Sequence, residues 1–313
     1  MVRHIETTAV IGAGLIGAQW AALLAAKGYP VKLYDADPQA CVQALHKAHG
    51  YLAFMSAHEV AMDITLDDAK SNIASFSSIP EVVANVDFVL EAASERLEVK
   101  QAVFAEVDRH TSEDVIITSS SSALLMSDIQ SVMEKPHRAV IAHPFNPAHL
   151  VPLVEIVPGA MTSGAITTAA KAFFDRLGKI AIIVNKEVPG YVANRLQAAV
   201  WREAIDLVLN GVVSVEDVDK ALSTGPGIRY AFMGQHLIYH LGGGPGGIEH
   251  FVDHIGEQKK RLWENMAAWT ELPRRTKEAL SKGIDDEVGG VSIADLEKRR
   301  DEILVRLLKV IYG

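Results

Sequence analysis

The chain has 313 residues, of which 49% are hydrophobic and 22% charged, and this length is typical of about two domains. The formal net charge of −9 argues against a nucleic-acid partner. The single cysteine, Cys41, excludes an intrachain disulfide and fits a reducing, cytoplasmic location, and we expect it to be a small buried side chain.

Residues 7–26 contain no charged side chain and have about the length of a membrane-spanning helix. Three closely spaced glycines, Gly12, Gly14 and Gly17, disfavour a spanning helix or a signal peptide. A buried strand followed by a buried helix explains the whole segment, so we expect no membrane partner.

The same glycines form the sequence GAGLIG at residues 12–17, after the apolar run Thr8–Ile11 and before an alanine-rich helical pattern. A strand, a glycine turn and a helix in this order direct backbone N–H groups and the positive helix end at a pyrophosphate. The first glycine allows the turn, the second lets the backbone approach the phosphates, and the third lets helix and strand pack closely. The pattern predicts these cofactor-binding residues: Gly12, Gly14, Leu15, Ile16 and Gly17.

The next predicted strand, Val31–Tyr34, is followed by Asp35, at the spacing expected for a carboxylate on the ribose hydroxyls of a dinucleotide. The alternative is a glycine-rich turn in some other α/β unit, and the position of Asp35 argues against it. Because Asp35 would repel a 2′-phosphate and no arginine lies near it in sequence, the pattern favours NAD over NADP.

Apolar runs and helical patterns alternate through the following residues. Further strands are predicted at residues 88–92, 115–118, 139–142, 151–157 and 180–184, and helices at 39–61, 81–84, 97–109 and 166–177. This alternation predicts an α/β fold with an N-terminal Rossmann-type, doubly wound parallel sheet over residues 1–186.

From residue 187 the pattern changes to helices alone, which predicts an all-helical C-terminal domain over residues 187–313. Two helix starts carry an approximate capping box, Ser214 with Asp217 and Ser292 with Asp295. The glycine-rich segment 242–247 is expected to form a loop. An apolar stripe on the last helix predicts pairing with a second copy into a homodimer. The stripe consists of Ile303, Leu304, Leu307, Leu308 and Ile311.

Polar side chains follow several predicted strands, where ligands bind in such sheets. They are the serine run 119–122, His143, Glu155 and, at the domain junction, Asn194. His143 lies in the sequence HPFNP, which predicts a rigid loop, and histidine is the usual general acid or base near neutral pH. Glu155 lies in an apolar strand, where a carboxylate is costly to bury unless it is paired. We predict a His143–Glu155 pair that acts as a general base; a purely structural contact is the alternative.

Five segments together resemble the L-3-hydroxyacyl-CoA dehydrogenase family, in the family's order and with similar spacing. They are residues 12–17, 119–122, 143–147, 153–155 and 189–195. Within the family, residues 201–204 and 227–234 resemble the branch that holds lambda-crystallin, L-gulonate 3-dehydrogenase and L-carnitine dehydrogenase. The resemblance implies an NAD-binding domain, a helical domain for substrate binding and dimerisation, and NAD-dependent oxidation of a secondary alcohol at C3.

The resemblance also implies roles for the polar residues. His143 resembles the base that takes the proton from the substrate hydroxyl, and Glu155 resembles its carboxylate partner. Ser122 resembles the serine that hydrogen-bonds the reacting oxygen and approaches the nicotinamide. Asn194 resembles the asparagine that helps to hold that oxygen.

Three further residues resemble cofactor-side positions of the family. Asn146 resembles a contact on the nicotinamide side. Glu95 and Lys100 resemble residues that follow the strand at 88–92 and face the cofactor. For Lys100 the alternative is a solvated charge on a helix.

The sequence departs from the acyl-CoA members of the family in two places. Residues 297–304 form an amphipathic helical pattern where those members carry a glycine-rich segment with an aromatic pair. Arg229 lies in a glycine-rich apolar segment, and a buried arginine favours a planar, bidentate anion such as a free carboxylate. We therefore predict a small, free L-3-hydroxy acid as substrate, held by Arg229, Ser122 and Asn194; a salt bridge from Arg229 to Glu203 or Asp219 is the alternative.

Three functions stay open on the sequence: a dehydrogenase of an L-gulonate-like or L-carnitine-like acid, an L-3-hydroxyacyl-CoA dehydrogenase, and a non-catalytic, crystallin-like structural protein. L-Carnitine would need an aromatic cage for its trimethylammonium group. The candidates for that cage are Phe145, Tyr191, Trp201, Tyr230 and Phe232, and packing in the core is the alternative for each. His250 and His254 have helical spacing but lack the glutamate of a zinc motif, so no metal site is expected.

Overall fold

The computed structural model describes residues 4–312, which divide into two compact units. The first unit ends at Arg195 and the second begins at Leu196.

One eight-stranded sheet organises the described part of the first unit, in the strand order β3-β2-β1-β4-β5-β6-β7-β8. The strands are β1 (Thr8–Ile11), β2 (Val31–Tyr34), β3 (Ile73–Ser75), β4 (Phe88–Glu91), β5 (Ile116–Ser119), β6 (Ala139–Pro144), β7 (Leu153–Pro158) and β8 (Ile180–Ile183). The helices are α1 (Leu15–Ala26), α2 (Pro38–Ala57), α3 (Leu66–Ser71), α4 (Ile79–Val82), α5 (Leu97–His110), α6 (Met126–Ile129) and α7 (Gly164–Arg176). The short elements α3, β3 and α6 were not predicted from the sequence.

The direction of β7 differs from the prediction. Strands β1 to β6 are parallel to one another, as expected, but β7 is antiparallel to β6, and β8 is parallel to β7. The connection at residues 145–152 contains no helix and is shorter than the dozen or more residues that a parallel crossover needs. The chain therefore turns back beside β6, and the start of β7 lies at the edge where β6 ends.

The strand order reverses between β1 and β4, which is where doubly wound sheets bind their ligands. Apolar side chains cover both faces of the sheet. On one face the ring centroids of Phe88 and Phe173 lie 4.3 Å apart. Cys41 is buried, as expected, and has a free thiol.

Helices alone form the described part of the second unit, as the sequence predicts. They are α8 (Ala193–Leu209, which begins in the first unit), α9 (Val215–Thr224), α10 (Pro226–Tyr230), α11 (Gln235–Gly242), α12 (Gly247–Asn265), α13 (Thr276–Val288) and α14 (Ile293–Tyr312). Both predicted capping serines are confirmed: Ser214 and Ser292 each accept a hydrogen bond of 3.1 Å from the backbone three residues on. The segment 242–247 forms the connection between α11 and α12, through a 3₁₀ turn.

The segment that resembles a membrane span in composition divides into β1 and α1. Within residues 4–312, no helix combines the length and the apolar content that crossing a bilayer requires.

Candidate active site

The glycine turn after β1 depends on two glycines for its shape. Gly12 has φ +103°, and a Cβ atom there would lie 2.4 Å from the carbonyl carbon of Ala92. A Cβ atom on Gly17 would lie 1.8 Å from the carbonyl oxygen of Gly12. Only hydrogen fits at either position, so the turn brings β1, β4 and α1 into close contact. Gly14 differs, because a Cβ atom there would meet nothing within 4 Å and would point into open space.

The N-terminus of α1 is free to accept an anion. Gly14 is its N-cap and supplies no side-chain hydrogen bond, and the first turn contains no acidic residue. By contrast, Asp37 caps α2 and Ser163 caps α7 through their side chains. Unpaired N–H groups and the positive end of the helix therefore face the space beside Gly14, which fits the pyrophosphate of a dinucleotide.

Asp35 lies beside the same turn. One carboxylate oxygen accepts a hydrogen bond of 2.7 Å from the Ala13 N–H, and the other accepts one of 2.9 Å from the Asp37 N–H. The side chain is partly exposed. Asp35 thus fixes the turn from the side, at the end of β2 where a ribose would lie.

Lys100 belongs to a buried ion cluster that the sequence analysis missed. Its ammonium group donates hydrogen bonds of 2.8 and 3.0 Å to the two carboxylate oxygens of Glu91, which also accepts one of 2.6 Å from the Ser119 hydroxyl. Lys100 is 1% exposed, so the alternative of a solvated helix charge is wrong. Burial raises the pKa of Glu91 even with Lys100 beside it. A lone acidic residue at the end of an apolar strand was the available signal for Glu91.

Glu95 holds the serine loop after β5. Its carboxylate accepts hydrogen bonds from the Ser121 hydroxyl at 2.7 Å and from the N–H groups of Ser122 and Ala123 at 2.8 and 3.0 Å. The Lys100 ammonium lies 3.4 Å away. Partial burial disfavours the charge, but these donors outweigh it and hold the pKa of Glu95 below its usual range. Glu95 and Lys100 thus lie together, and both shape the loop that carries Ser122.

His143 and Glu155 face each other across the antiparallel pair of strands. The ladder pairs these two residues directly, and His143 Nδ1 lies 2.8 Å from a carboxylate oxygen of Glu155. His143 is 4% exposed and Glu155 is fully buried. We expected His143 in a loop after the strand, but β6 continues to Pro144 and includes it. Strand pairing, rather than proline rigidity, fixes its position.

The other oxygen of Glu155 faces the start of α8. It accepts hydrogen bonds of 2.9 and 3.0 Å from the N–H groups of Val192 and Ala193. Burial disfavours the charge on Glu155, but the bonds from His143 and these N–H groups outweigh it, so its pKa lies below the usual range. Glu155 is therefore ionised at neutral pH and can only accept hydrogen bonds. It follows that His143 carries its proton on Nδ1 and presents a lone pair on Nε2 when neutral.

Two aromatic rings hold the His143 imidazole. The ring centroid of Phe145 lies 4.8 Å away and that of Tyr191 5.4 Å away, both in edge-on geometry. The Tyr191 hydroxyl donates a hydrogen bond of 2.6 Å to the Leu124 carbonyl, and burial raises its pKa. Tyr191 is fully buried, which favours core packing over a place in an aromatic cage. Gly190 and Tyr191 have φ of +75° and +49°, a local turn that leads into the first N–H groups of α8.

Ser122 and Asn194 also come together. The Asn194 amide donates a hydrogen bond of 3.2 Å to the Ser122 carbonyl, and both side chains are partly exposed. Asn146 follows β6 and is exposed, and its side-chain oxygen accepts a hydrogen bond of 2.9 Å from Gln19. No local sequence pattern assigns a role to Gln19.

Arg229 differs from the expectation of a buried arginine. It lies on α10 in the second unit and is exposed. Among the described residues it forms no ion pair with Glu203 or Asp219, so the salt-bridge alternative is not realised. Glu203 instead accepts a hydrogen bond of 2.9 Å from the Ala267 N–H. The apolar residues around Arg229 in sequence are exposed as well, which the glycine-rich pattern did not reveal.

Sequence comparison places this geometry in a family. Residues 7–188 match the NAD-binding domain of 3-hydroxyacyl-CoA dehydrogenase, and residues 190–283 match the C-terminal domain of the same enzyme family. The chain belongs to the 3-hydroxyacyl-CoA dehydrogenase family. This membership identifies NAD as the cofactor, and the uncapped α1 with its glycine turn fits the pyrophosphate of such a dinucleotide. The protein is an NAD-dependent oxidoreductase that acts on CH–OH groups.

Individual relatives in this family are similar along nearly the whole chain. An L-carnitine dehydrogenase from a Pseudomonas species is 39% identical over 312 residues, covering 99% of this chain and 95% of the relative. One from Streptomyces coelicolor is 37% identical over 307 residues, covering 98% and 95%. The crystal structure of 5-formyl-3-hydroxy-2-methylpyridine 4-carboxylic acid 5-dehydrogenase, an NAD⁺-dependent dismutase, matches with a TM-score of 0.85, 25% identity and 99% coverage of both chains.

Proposed function

We propose that the protein oxidises the C3 hydroxyl of a small, free L-3-hydroxy acid to the 3-keto acid, and that this acid is L-carnitine. The observation that carries the proposal is the similarity, at 37–39% identity over 98–99% of the chain, to relatives named L-carnitine dehydrogenase. The expected product is the 3-keto acid together with NADH and one proton.

The His143–Glu155 pair handles the proton in this reaction. Nε2 of His143 takes the proton of the substrate hydroxyl, and the ionised Glu155 stabilises the imidazolium that forms. NAD, when bound, accepts the hydride from C3 of the substrate. In the reverse direction the imidazolium returns the proton to the oxygen. Because Glu155 is fixed from its other side by two N–H groups, the imidazole keeps one orientation throughout.

Ser122 and Asn194 supply donors for the reacting oxygen. The Asn194 amide has two hydrogens, and the Ser122 carbonyl takes one of them, which leaves the second for a ligand. Glu95 fixes the loop that carries Ser122 and also accepts a hydrogen bond of 3.3 Å from its hydroxyl, which must turn from Glu95 to donate to the substrate. The free Asn194 hydrogen is already oriented; such a donor stabilises developing charge on oxygen without reorganisation, and removal of one lowers the rate about 10²–10³-fold.

The second unit offers the groups that a carboxylate and a trimethylammonium group require. Arg229 is an exposed cation, and exposed aromatic side chains accompany it along the chain. They are Trp201, Tyr230 and Phe232. A guanidinium binds a carboxylate in bidentate geometry, and aromatic faces attract a quaternary ammonium. We expect Arg229→Met to raise KM for the acid about tenfold or more and to leave the Kd for NAD unchanged; an unchanged KM would rule out this role.

The experiment that tests the substrate is NADH formation across a panel of alcohols. The panel contains L-carnitine, D-carnitine, L-gulonate, L-3-hydroxybutyrate and 3-hydroxybutyryl-CoA. We expect the highest kcat/KM with L-carnitine and none above background with D-carnitine. A preference for 3-hydroxybutyryl-CoA would replace the proposal with an acyl-CoA activity, and no NADH from any alcohol would refute it.

We also propose that the protein works as a cytoplasmic homodimer through its helical unit. The described helices of that unit expose large apolar side chains, including Trp263 at 70%, Ile293 at 77% and Val310 at 84%. Exposed apolar area on this scale is typical of an interaction surface. Sedimentation equilibrium at micromolar concentration tests the assembly: a mass of two chains supports it, and a stable monomer contradicts it.

A further inference from the structure

One buried polar residue close to the glycine turn has no place in the chemistry described so far. Gln19 lies on α1 and is 2% exposed. A buried amide is costly unless its donors and acceptor are paired. Gln19 pairs with the segment that follows β6, which lies more than a hundred residues away in sequence: its oxygen accepts a hydrogen bond of 2.7 Å from the Ala148 N–H, and its nitrogen donates one of 2.9 Å to the Asn146 side-chain oxygen.

The direction of these bonds follows from one fixed donor. The Ala148 N–H can only donate, so the amide oxygen of Gln19 must face it. The amide nitrogen of Gln19 must then face Asn146, and Asn146 must offer its oxygen in return. The orientation of the Asn146 amide is therefore determined by a backbone N–H two residues further along the chain. Its own NH₂ group points away from Gln19, on an exposed side chain.

We propose that Gln19 is a positioning residue that makes Asn146 present an N–H donor to the carboxamide oxygen of the nicotinamide. The proposal rests on the proposed function and on the family resemblance of Asn146, which implies a contact on the nicotinamide side. Gln19 links the helix whose N-terminus faces the pyrophosphate with the segment beside the base. A cofactor held at its phosphates is thereby also oriented at its reactive ring.

Substitution of Gln19 by glutamate reverses the polarity of this chain of bonds. A carboxylate at residue 19 still accepts from the Ala148 N–H but can only accept from Asn146. Asn146 must then turn its NH₂ group inward and its oxygen outward. A nicotinamide carboxamide can rotate and offer its own NH₂ group to that oxygen, whereas 3-acetylpyridine adenine dinucleotide has an acetyl oxygen and no donor. ADP-ribose lacks the pyridine ring, so its Kd depends only on the part of the site that binds the adenosine and the phosphates.

The measurement is the Kd of each of the three ligands by isothermal titration calorimetry. In Gln19→Glu we expect the ratio of Kd for the acetylpyridine analogue to Kd for NAD⁺ to rise about 3- to 10-fold over the wild type, the worth of about one hydrogen bond. The Kd for ADP-ribose should stay within about twofold. Gln43→Glu on α2, an exposed glutamine, is the charge-matched control and should change none of the three.

A second variant keeps the test valid if a buried glutamate disturbs folding. Gln19→Met removes both hydrogen bonds without adding charge. It should weaken NAD⁺ binding when Asn146 is present and should have no further effect when Asn146 is already replaced by alanine. Any one of three results would overturn the proposal. The first is an unchanged ratio of the two Kd values in folded Gln19→Glu, and the second is an equal rise in the Kd for ADP-ribose. The third is a Gln19→Met substitution that weakens NAD⁺ binding just as much in the Asn146→Ala background. These binding results are separate from the substrate panel, so loss of the proposed activity and loss of this inference give different outcomes.

Discussion

Replacement of Glu155 by glutamine tests whether the carboxylate takes part in proton transfer or only fills the core. The substitution keeps the size of the side chain and changes one oxygen to an NH₂ group. The N–H groups of Val192 and Ala193, at 2.9 and 3.0 Å, require an oxygen at one position. The new NH₂ group must therefore occupy the other position, 2.8 Å from His143 Nδ1 in the wild type.

Two donors then face each other unless the imidazole changes its tautomer. His143 must give up the proton on Nδ1 and carry it on Nε2, the atom that has to accept the substrate proton. The imidazolium also loses its ionised partner. The equivalent substitution in serine proteases lowers kcat about 10⁴-fold through the wrong tautomer, and we expect a fall of about 10³–10⁴-fold here.

The assay is the initial rate of NADH formation with the preferred alcohol, combined with the Kd for NAD⁺ by calorimetry. The Kd should stay within about threefold, because the glycine turn is untouched. Glu187→Gln is the matched control: Glu187 accepts from the Ser127 N–H at 3.0 Å and has no contact with His143. A fall of less than about tenfold in Glu155→Gln, or an equal fall in the control, would show that the pair is structural.

Three more predictions follow from single side chains. Gly17→Ala should lower the free energy of unfolding by about 1–3 kcal/mol and weaken NAD⁺ binding, because the new Cβ would lie 1.8 Å from the Gly12 carbonyl oxygen. The control is Gly50→Ala: a Cβ atom there has no neighbour within 4 Å, so this variant should unfold no more easily than the wild type. Asp35→Ser should lower the preference for NAD⁺ over NADP⁺ about tenfold or more in kcat/KM, since it removes the charge that repels a 2′-phosphate; an unchanged preference would contradict this. Burial lowers the pKa of Lys179 to about 7, below its unfolded value of about 10.4, so from about pH 7 to 10 the unfolded chain holds a proton that the folded chain lacks. The free energy of unfolding, measured by urea denaturation, should therefore rise with pH in the wild type relative to Lys179→Met, by up to about 1.4 kcal/mol per pH unit. A difference that does not change with pH would refute the lowered pKa of Lys179.

Local sequence patterns predicted the nucleotide-binding half of the fold well. Hydrophobic runs located the strands other than the short β3, and the glycines of the turn have a steric requirement that a sequence displays directly. The reversal of β7 was missed because strand residues look alike in either direction; only the short connection at residues 145–152 carries the signal. The position of His143 inside β6 was missed for the same reason, since prolines at the end of a strand resemble those of a loop.

Contacts between distant residues account for most of what the sequence could not give. The pairing of Gln19 with Asn146 joins residues 127 positions apart, and no local pattern indicates it. The sequence left Lys100 open between a cofactor-side residue and a solvated helix charge, and its buried partner Glu91 is evident only in the folded chain. Arg229 shows the opposite error: apolar neighbours in sequence suggested burial, whereas the helical unit exposes that segment.

Every hydrogen bond that orients the His143 imidazole through Glu155 comes from residues before Leu196. On the proposal that Arg229 holds the substrate carboxylate, the acid–base pair and this recognition residue are encoded in different stretches of the gene. Recombination or directed evolution confined to codons after 195 would then change the contact with the carboxylate without rebuilding the proton-transfer apparatus. Insertions between β6 and β7 are more restricted, because they must return the strands to the register that sets His143 opposite Glu155.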